Sequence, residues 1–182
     1  MNTYVSIRWA TLADAPALSE IHVRAWQAGY RGLLPDSLLD NLSAAERLPR
    51  WRERLTGATE QVLVAEVDGQ VAGWLVTGPQ RDGDLDPQSV AEIYAIYVHP
   101  NHWRRGCGSA LLAHALAELR AQGFVEATLW VLRSNERARD FYEAQGLQAD
   151  GASKIEHNRD GVAFDEVRYR CQISRPPLGP VS

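Results

Sequence analysis

Two cysteines in 182 residues, Cys107 and Cys171, are too few and too far apart for a disulfide framework or a cysteine-built metal site. The five histidines are scattered, and His99 and His102 have no cysteine or carboxylate cluster beside them, so both read as exposed or phosphate-adjacent side chains and no metal is expected. No apolar run reaches the roughly 18 residues of a membrane span, and no charged segment precedes a short apolar one at the start. The expectation is a cytoplasmic chain with no membrane partner. Excess positive charge is also lacking: 19 basic residues against 23 acidic ones leave −4, which argues against nucleic acid and mildly favours cationic substrates. Repeats are absent too. What is there, 45% hydrophobic and 23% charged residues, suffices for one sizeable core, expected as a single domain over 1–174 with a flexible tail at 175–182.

Along the chain, Tyr4 to Trp9 alternates as a short strand, and Thr11 or Asp14 caps a helix reaching about Trp26. From Ala28 to Leu55 the pattern predicts helical pieces broken by Gly29, Gly32, Pro35 and Pro49, with Asp36 and Ser43 as caps. Gln61–Val67 and Gln70–Thr77, joined by Asp68-Gly69, form the clearest hairpin, and a loop follows from Gly78 to Gln88. Strand Val90–Val98 runs through a basic glycine turn into a helix ending near Gln122, before Gly123. Strand Val125–Leu132, helix Asn135–Gln145, and strands near Gln148–His157 and Phe164–Ile173 complete the pattern. Strands alternating with helices predict one mixed sheet with helices on both faces.

The turn Trp103-Arg104-Arg105-Gly106-Cys107-Gly108-Ser109 is the most informative stretch. The first N–H groups of a helix have no partner within it, and its dipole is positive there. Gly106 and Gly108 let an anion reach the backbone while Arg104 and Arg105 add charge, so the turn is built for phosphate. It is not a Walker loop, because Ser109-Ala110 stands where Lys and Ser or Thr are required. It is not a dinucleotide fingerprint either, because Leu111 replaces the third glycine. A plain helix-initiating turn is the alternative.

This stretch resembles the hallmark of the GNAT superfamily of acyl-CoA-dependent N-acetyltransferases, an apolar strand, then Q/R-x-x-G-x-G/A, then a helix, with Trp103 departing at the first position. Asn135 to Gly146 (NERARDFYEAQG) resembles the family's later N-x-x-A-x-x-F/L-Y-x-x-x-G-F signature, with Leu147 for the final Phe. The resemblance covers about residues 3 to 173 and is weakest before residue 60. It implies an α/β (α+β) fold with a central mixed, mostly antiparallel, splayed sheet of six to seven strands flanked by about four helices. It also implies acetyl-CoA as co-substrate, direct acetyl transfer to a primary amine of a small molecule or peptide, and leaves room for a homodimer. Two other readings stand beside it: an acyl-CoA-binding regulator without turnover, and an interaction domain that keeps the fold.

Acyl transfer needs a neutral amine. With an ammonium pKa near 10.4, about 4 kcal/mol of deprotonation must be supplied at pH 7. Ala91-Glu92-Ile93, 14 residues before Gly106, matches the place where histone-acetylating members carry a base. Glu92 therefore reads as that base or the anchor of its water, or else as a strand-end carboxylate facing solvent or a substrate cation. Trp130 occupies the position where other members carry an alternative base. By the same resemblance Tyr142 is the acid that protonates the leaving thiolate, against a plain packing role, and Asn135 both caps its helix and reaches the CoA arm. Main-chain N–H groups of Ile96, Tyr97 and Val98 are implied as donors to the thioester. Cys107 reads as a small filler rather than a nucleophile, since direct transfer needs no acyl-enzyme. Trp26 and Tyr30 line either an acceptor cleft or the core.

Overall fold

The computed structural model describes residues 4–173; the expected tail at 175–182 lies outside them. Within them seven strands form one sheet: β1 Val5–Trp9, β2 Gln61–Val67, β3 Gln70–Pro79, β4 Val90–Val98, β5 Glu126–Leu132, β6 Gln148–His157 and β7 Ala163–Gln172, in the order β1-β2-β3-β4-β5-β7-β6. Every pairing is antiparallel except β4 with β5. The β2–β3 turn carries positive φ at both Asp68 (52°) and Gly69 (74°), the geometry whose twist matches the flanking strands. Among the described residues five α-helices accompany the sheet: α1 Ala15–Gly29, α2 Asp36–Asp40, α3 Ala44–Thr56, α4 Cys107–Ala121 and α5 Glu136–Ala144. No helix among the described residues is long and apolar enough to cross a membrane.

The amphipathic helices bury their apolar stripes on opposite faces. Leu18 and Ile21 of α1 and Trp51 of α3 pack on Val62, Val64, Trp74 and Val76. On the other face Leu111, Leu112 and Ala115 of α4 pack on Leu63, Leu75, Ile93 and Leu129. Pro49 does not break the chain as its letter predicts, for it lies inside α3. Proline in a helix interior forfeits one hydrogen bond at about 3 kcal/mol. Burial of Trp51, 3% exposed, against Trp74 at 4.5 Å between ring centroids offsets that cost.

The feature that makes a site is a parting of strands. β4 and β5 pair only from Val90–Ile93 to Glu126–Leu129. In the β3–β4 ladder Val76 faces Ala95 and Thr77 faces Ile93, so Tyr94 is an extra residue. Such a bulge bends and twists its strand. Its imprint is visible in the packing: Ile93 and Ile96, three apart, both face α4, while Ala95 and Tyr97 face α1. Beyond the bulge β4 keeps β3 on one edge, β5 turns away with β7, and a gap opens between Tyr94–Val98 and Trp130–Leu132.

Candidate active site

The gap is part of a cavity of about 570 Å³. One end is the turn between β4 and α4. Trp103 anchors it: the indole Nε1 donates to the Val98 carbonyl at 2.7 Å, and the Arg137 guanidinium stacks on its ring at 3.9 Å. Arg104 and Gly106 both take left-handed backbone, φ 57° and 83°. Gly106 is the N-cap of α4 and has no side chain to satisfy the helix's first N–H groups, so those donors remain open beside Cys107, Gly108 and Ser109, which line the cavity. At Gly108 a Cβ would stand 3.3 Å from the Phe141 ring, so the helix start and α5 meet there as closely as they can. Arg104, His102 and Arg137 line this end, whereas Arg105 does not. Arg137 escaped the sequence reading. It enters from the first turn of α5 and passes Gly29 of α1, where a Cβ would lie 3.2 Å from its Nη2. Cys107 is 1% exposed, and burial pushes its thiol up rather than down, which suits a filler and not a nucleophile.

The middle of the cavity is formed by Ile96, Tyr97 and Val98 from β4 and by Asn135, Ala138, Phe141 and Tyr142 from the start and face of α5. Strand geometry turns alternate backbone groups of 94–98 toward the edge that β5 has left. Asn135 Oδ1 accepts from the Ala138 N–H at 3.2 Å, capping α5 while its side chain borders the cavity. Tyr142 lies two turns further on, between Phe141 and Tyr169. Burial, with the Tyr97 hydroxyl nearby, holds its pKa well above the ordinary tyrosine value, so the hydroxyl keeps its proton.

The far end is aromatic. Tyr30, Tyr94, Tyr97 and Trp130 line it, and the hydroxyls of Tyr30 and Tyr97 are 3.0 Å apart. Burial raises both phenol pKa values, leaving them neutral. Trp26 stands behind this wall, its ring 5.0 Å from Tyr30 and 6.3 Å from Tyr97, and is not among the residues that line the cavity. Glu166 of β7 does line it, a second residue the sequence did not single out. Its alternation with Phe164 and Arg168 marks a sheet face but does not say that the face is a cavity wall.

Glu92 is placed elsewhere. It precedes the bulge between Gly78 and Thr128, is 1% exposed, and is not among the cavity-lining residues. Its carboxylate accepts from Arg81 Nη2 at 2.5 Å, Nε at 3.1 Å and the Arg81 backbone N–H at 3.1 Å. Arg81 in turn lies on the Tyr94 ring at 3.9 Å, and the Tyr94 hydroxyl donates to the Pro79 carbonyl at 2.7 Å. The loop 80–89 is further pinned by buried Arg168, which binds its Asp82 and Asp84 at 3.2 and 2.8 Å and Asp150 of β6 at 2.7 Å, while Asp82 accepts from Trp130 Nε1 at 3.1 Å. Among the described residues no group of His, Cys, Asp or Glu could hold a metal.

Gly78 is the keystone of this end. A Cβ there would sit 2.5 Å from the Tyr94 ring, closer than any real contact. Gly78→Ala is therefore expected to push Tyr94 and Arg81 out of place, lowering Tm by several degrees for an overpacking cost of about 1–3 kcal/mol. Calorimetry checks it. An unchanged Tm would mean the ring moves aside freely.

Residues 16–147 match the model of the Acetyltransferase (GNAT) family. An uncharacterised N-acetyltransferase of Bacillus subtilis, YuaI, is 32% identical over 90% of each chain. The phosphinothricin N-acetyltransferase of Streptomyces viridochromogenes is 28% identical over 98% of this chain and 95% of its own. Among solved structures, YncA from Salmonella typhimurium with its cofactor acetyl-CoA superposes with a TM-score of 0.68 at 24% identity, covering 98% of this chain and 99% of that one, a likeness of fold. Splayed strands, open helix start and family match agree: this chain belongs to the GNAT family of acetyltransferases.

Proposed function

We propose that this protein transfers the acetyl group of acetyl-CoA directly to the primary amine of a small molecule that also carries an acidic group. The observation that carries the reading is the continuity of one cavity from the open start of α4, past Tyr142, to the aromatic end at Tyr30, Tyr94, Tyr97 and Trp130. The α4 start with Arg104 and Arg137 suits the CoA pyrophosphate. The free edge of β4 at Ile96–Val98 suits the amide-bearing pantetheine and the thioester carbonyl, and Asn135 borders the same arm. Tyr142 gives its proton to the departing sulfur. The acidic group is assigned to Arg81, which Glu92 holds through Nε and Nη2 against the ring of the cavity-lining Tyr94. The phosphinothricin N-acetyltransferase relative supports a small molecule over a peptide.

In this reading Glu92 acts by holding Arg81, not by taking a proton. Glu92→Gln should raise KM for an acid-bearing acceptor about tenfold, with the loss equal at pH 7 and pH 9.5. Recovery at the higher pH would instead make Glu92 the proton acceptor. The reading as a whole is tested by thiol release on a panel of amines, paired with and without a neighbouring carboxylate or phosphonate. Turnover of the acid-bearing set is expected. Absence of both acetyl-CoA binding and thiol release would overturn it.

A further inference from the structure

We infer that Glu166 is the proton acceptor of the reaction: its carboxylate, at the cavity's aromatic end, binds the acceptor's ammonium and takes the proton that must leave before nitrogen attacks. This rests on the N-acetyltransferase reading and adds to it a residue, a role and the charge state of the substrate that enters.

The argument begins with the sheet. β7 is antiparallel to both β5 and β6, so Glu166 stands directly between Leu132 and Lys154. Directly opposed residues share a face, which places Glu166 on the same wall as Trp130, opposed to Arg168 one step along. That wall faces Tyr30, just past the end of α1, and Tyr97 of β4 across the cavity, and all of them line it. A carboxylate among rings is a natural seat for an ammonium, which gains an ionic partner and aromatic faces together. Of the other acids near this region, Glu92 has both oxygens engaged by Arg81, Asp82 is held by Trp130 and Arg168, and Asp140, which also lines the cavity, is exposed on α5.

The groups facing Glu166 set its basicity. Lys154 Nζ of β6 is 3.7 Å from Oε2 but only 2.7 Å from Glu156 Oε1, so it neutralises Glu166 incompletely. Glu156 itself repels the charge, Arg81 attracts it, Tyr30 and Tyr97 are neutral phenols, and Arg168 is already matched by three aspartates. Burial outweighs the rest and raises the pKa above the ordinary glutamate value. A raised carboxyl pKa narrows the gap to the ammonium and makes proton transfer less uphill.

The step balances. Glu166 takes one ammonium proton and passes it to solvent, and the freed nitrogen pair forms the C–N bond at the thioester carbonyl. Tyr142 gives its proton to sulfur as the C–S bond breaks, and the second nitrogen proton restores the tyrosine.

Glu166→Gln keeps size and removes the proton acceptor. Its kcat/KM for the amine should fall about 30- to 1000-fold at pH 7 and return to within a few-fold of the parent near pH 10, where amine deprotonates unaided. Acetyl-CoA binding, read by thermal shift, should not change. Lys154→Met removes the neighbouring positive charge, so the acid limb of the parent's rate profile should move to higher pH. Independently of turnover, a 13C carboxyl titration of the CoA-bound chain should find Glu166 above the ordinary glutamate range, moving down when the amine binds. A parent-like profile for Glu166→Gln, a loss equal at every pH, or an ordinary titration would each overturn the inference and leave the acetyltransferase reading standing. Failure of acetyl-CoA to bind the parent chain would instead bring down that reading.

Discussion

Gly108→Glu is expected to abolish acetyl-CoA binding while leaving the fold intact. Position 108 is the second residue of α4, where the backbone N–H groups are open to the cavity and a Cβ would already touch the Phe141 ring at 3.3 Å. A glutamate there carries its own anion to the positive end of the helix, where it is favoured by about 0.3–1 kcal/mol, so stability is conserved. On the proposed function, the same carboxylate would occupy the donors assigned to the pyrophosphate and repel it. For the parent, acetyl-CoA at 100 times its Kd adds about 2.7 kcal/mol of stability, a Tm rise of roughly 5–11 °C for a chain of this size. In Gly108→Glu that rise should vanish, whereas Gly108→Ala should keep most of it, since Phe141 need yield only a few tenths of an ångström. A full thermal shift in the glutamate variant would put the phosphate site elsewhere.

The contrast between this turn and the rest of the site shows what a sequence can disclose. Gly106, Gly108, Arg104 and the cap Asn135 act through local backbone geometry, which spacing encodes, and the structure brings all of them to one cavity. The hairpin at Asp68-Gly69 was legible for the same reason. The aromatic end was not. Its position depends on the bulge at Tyr94, for which Ala91–Val98 carries no glycine or proline signal, and which shows only once β3 is laid beside β4. Glu166 reaches the cavity through a pairing with Leu132, 34 residues earlier, and nothing in alternating polarity separates a cavity wall from a solvated face. Glu92 illustrates the reverse: its offset from Gly106 was plain, but Arg81 engages it from a loop whose path no periodicity predicts. Pro49 lies within α3 because the partner surface of Trp51, also non-local, outweighs the proline's cost.

Replacing Tyr142 by Phe should lower kcat tens-fold or more and leave KM for acetyl-CoA nearly unchanged. The ring is 9% exposed and packs with Phe141 and Tyr169 at centroid distances of 5.3 and 6.3 Å, contacts that phenylalanine reproduces, so Tm should stay near the parent's. On the proposed function, what is lost is one hydroxyl proton, wanted chiefly while charge grows on sulfur; an interaction made only then lowers kcat rather than raising KM. A 30-fold fall corresponds to about 2 kcal/mol of transition-state stabilisation, an ordinary value for one well-placed donor. Because burial holds the hydroxyl pKa far above that of a free tyrosine, the parent keeps this donor across the working pH range. The basic limb of its rate profile should therefore be set by other groups and persist in Tyr142→Phe. Single-turnover measurements at saturating substrates separate chemistry from product release. If the single-turnover rate of the variant equals the parent's, the sulfur takes its proton from water and Tyr142 belongs to the packing of α5 alone.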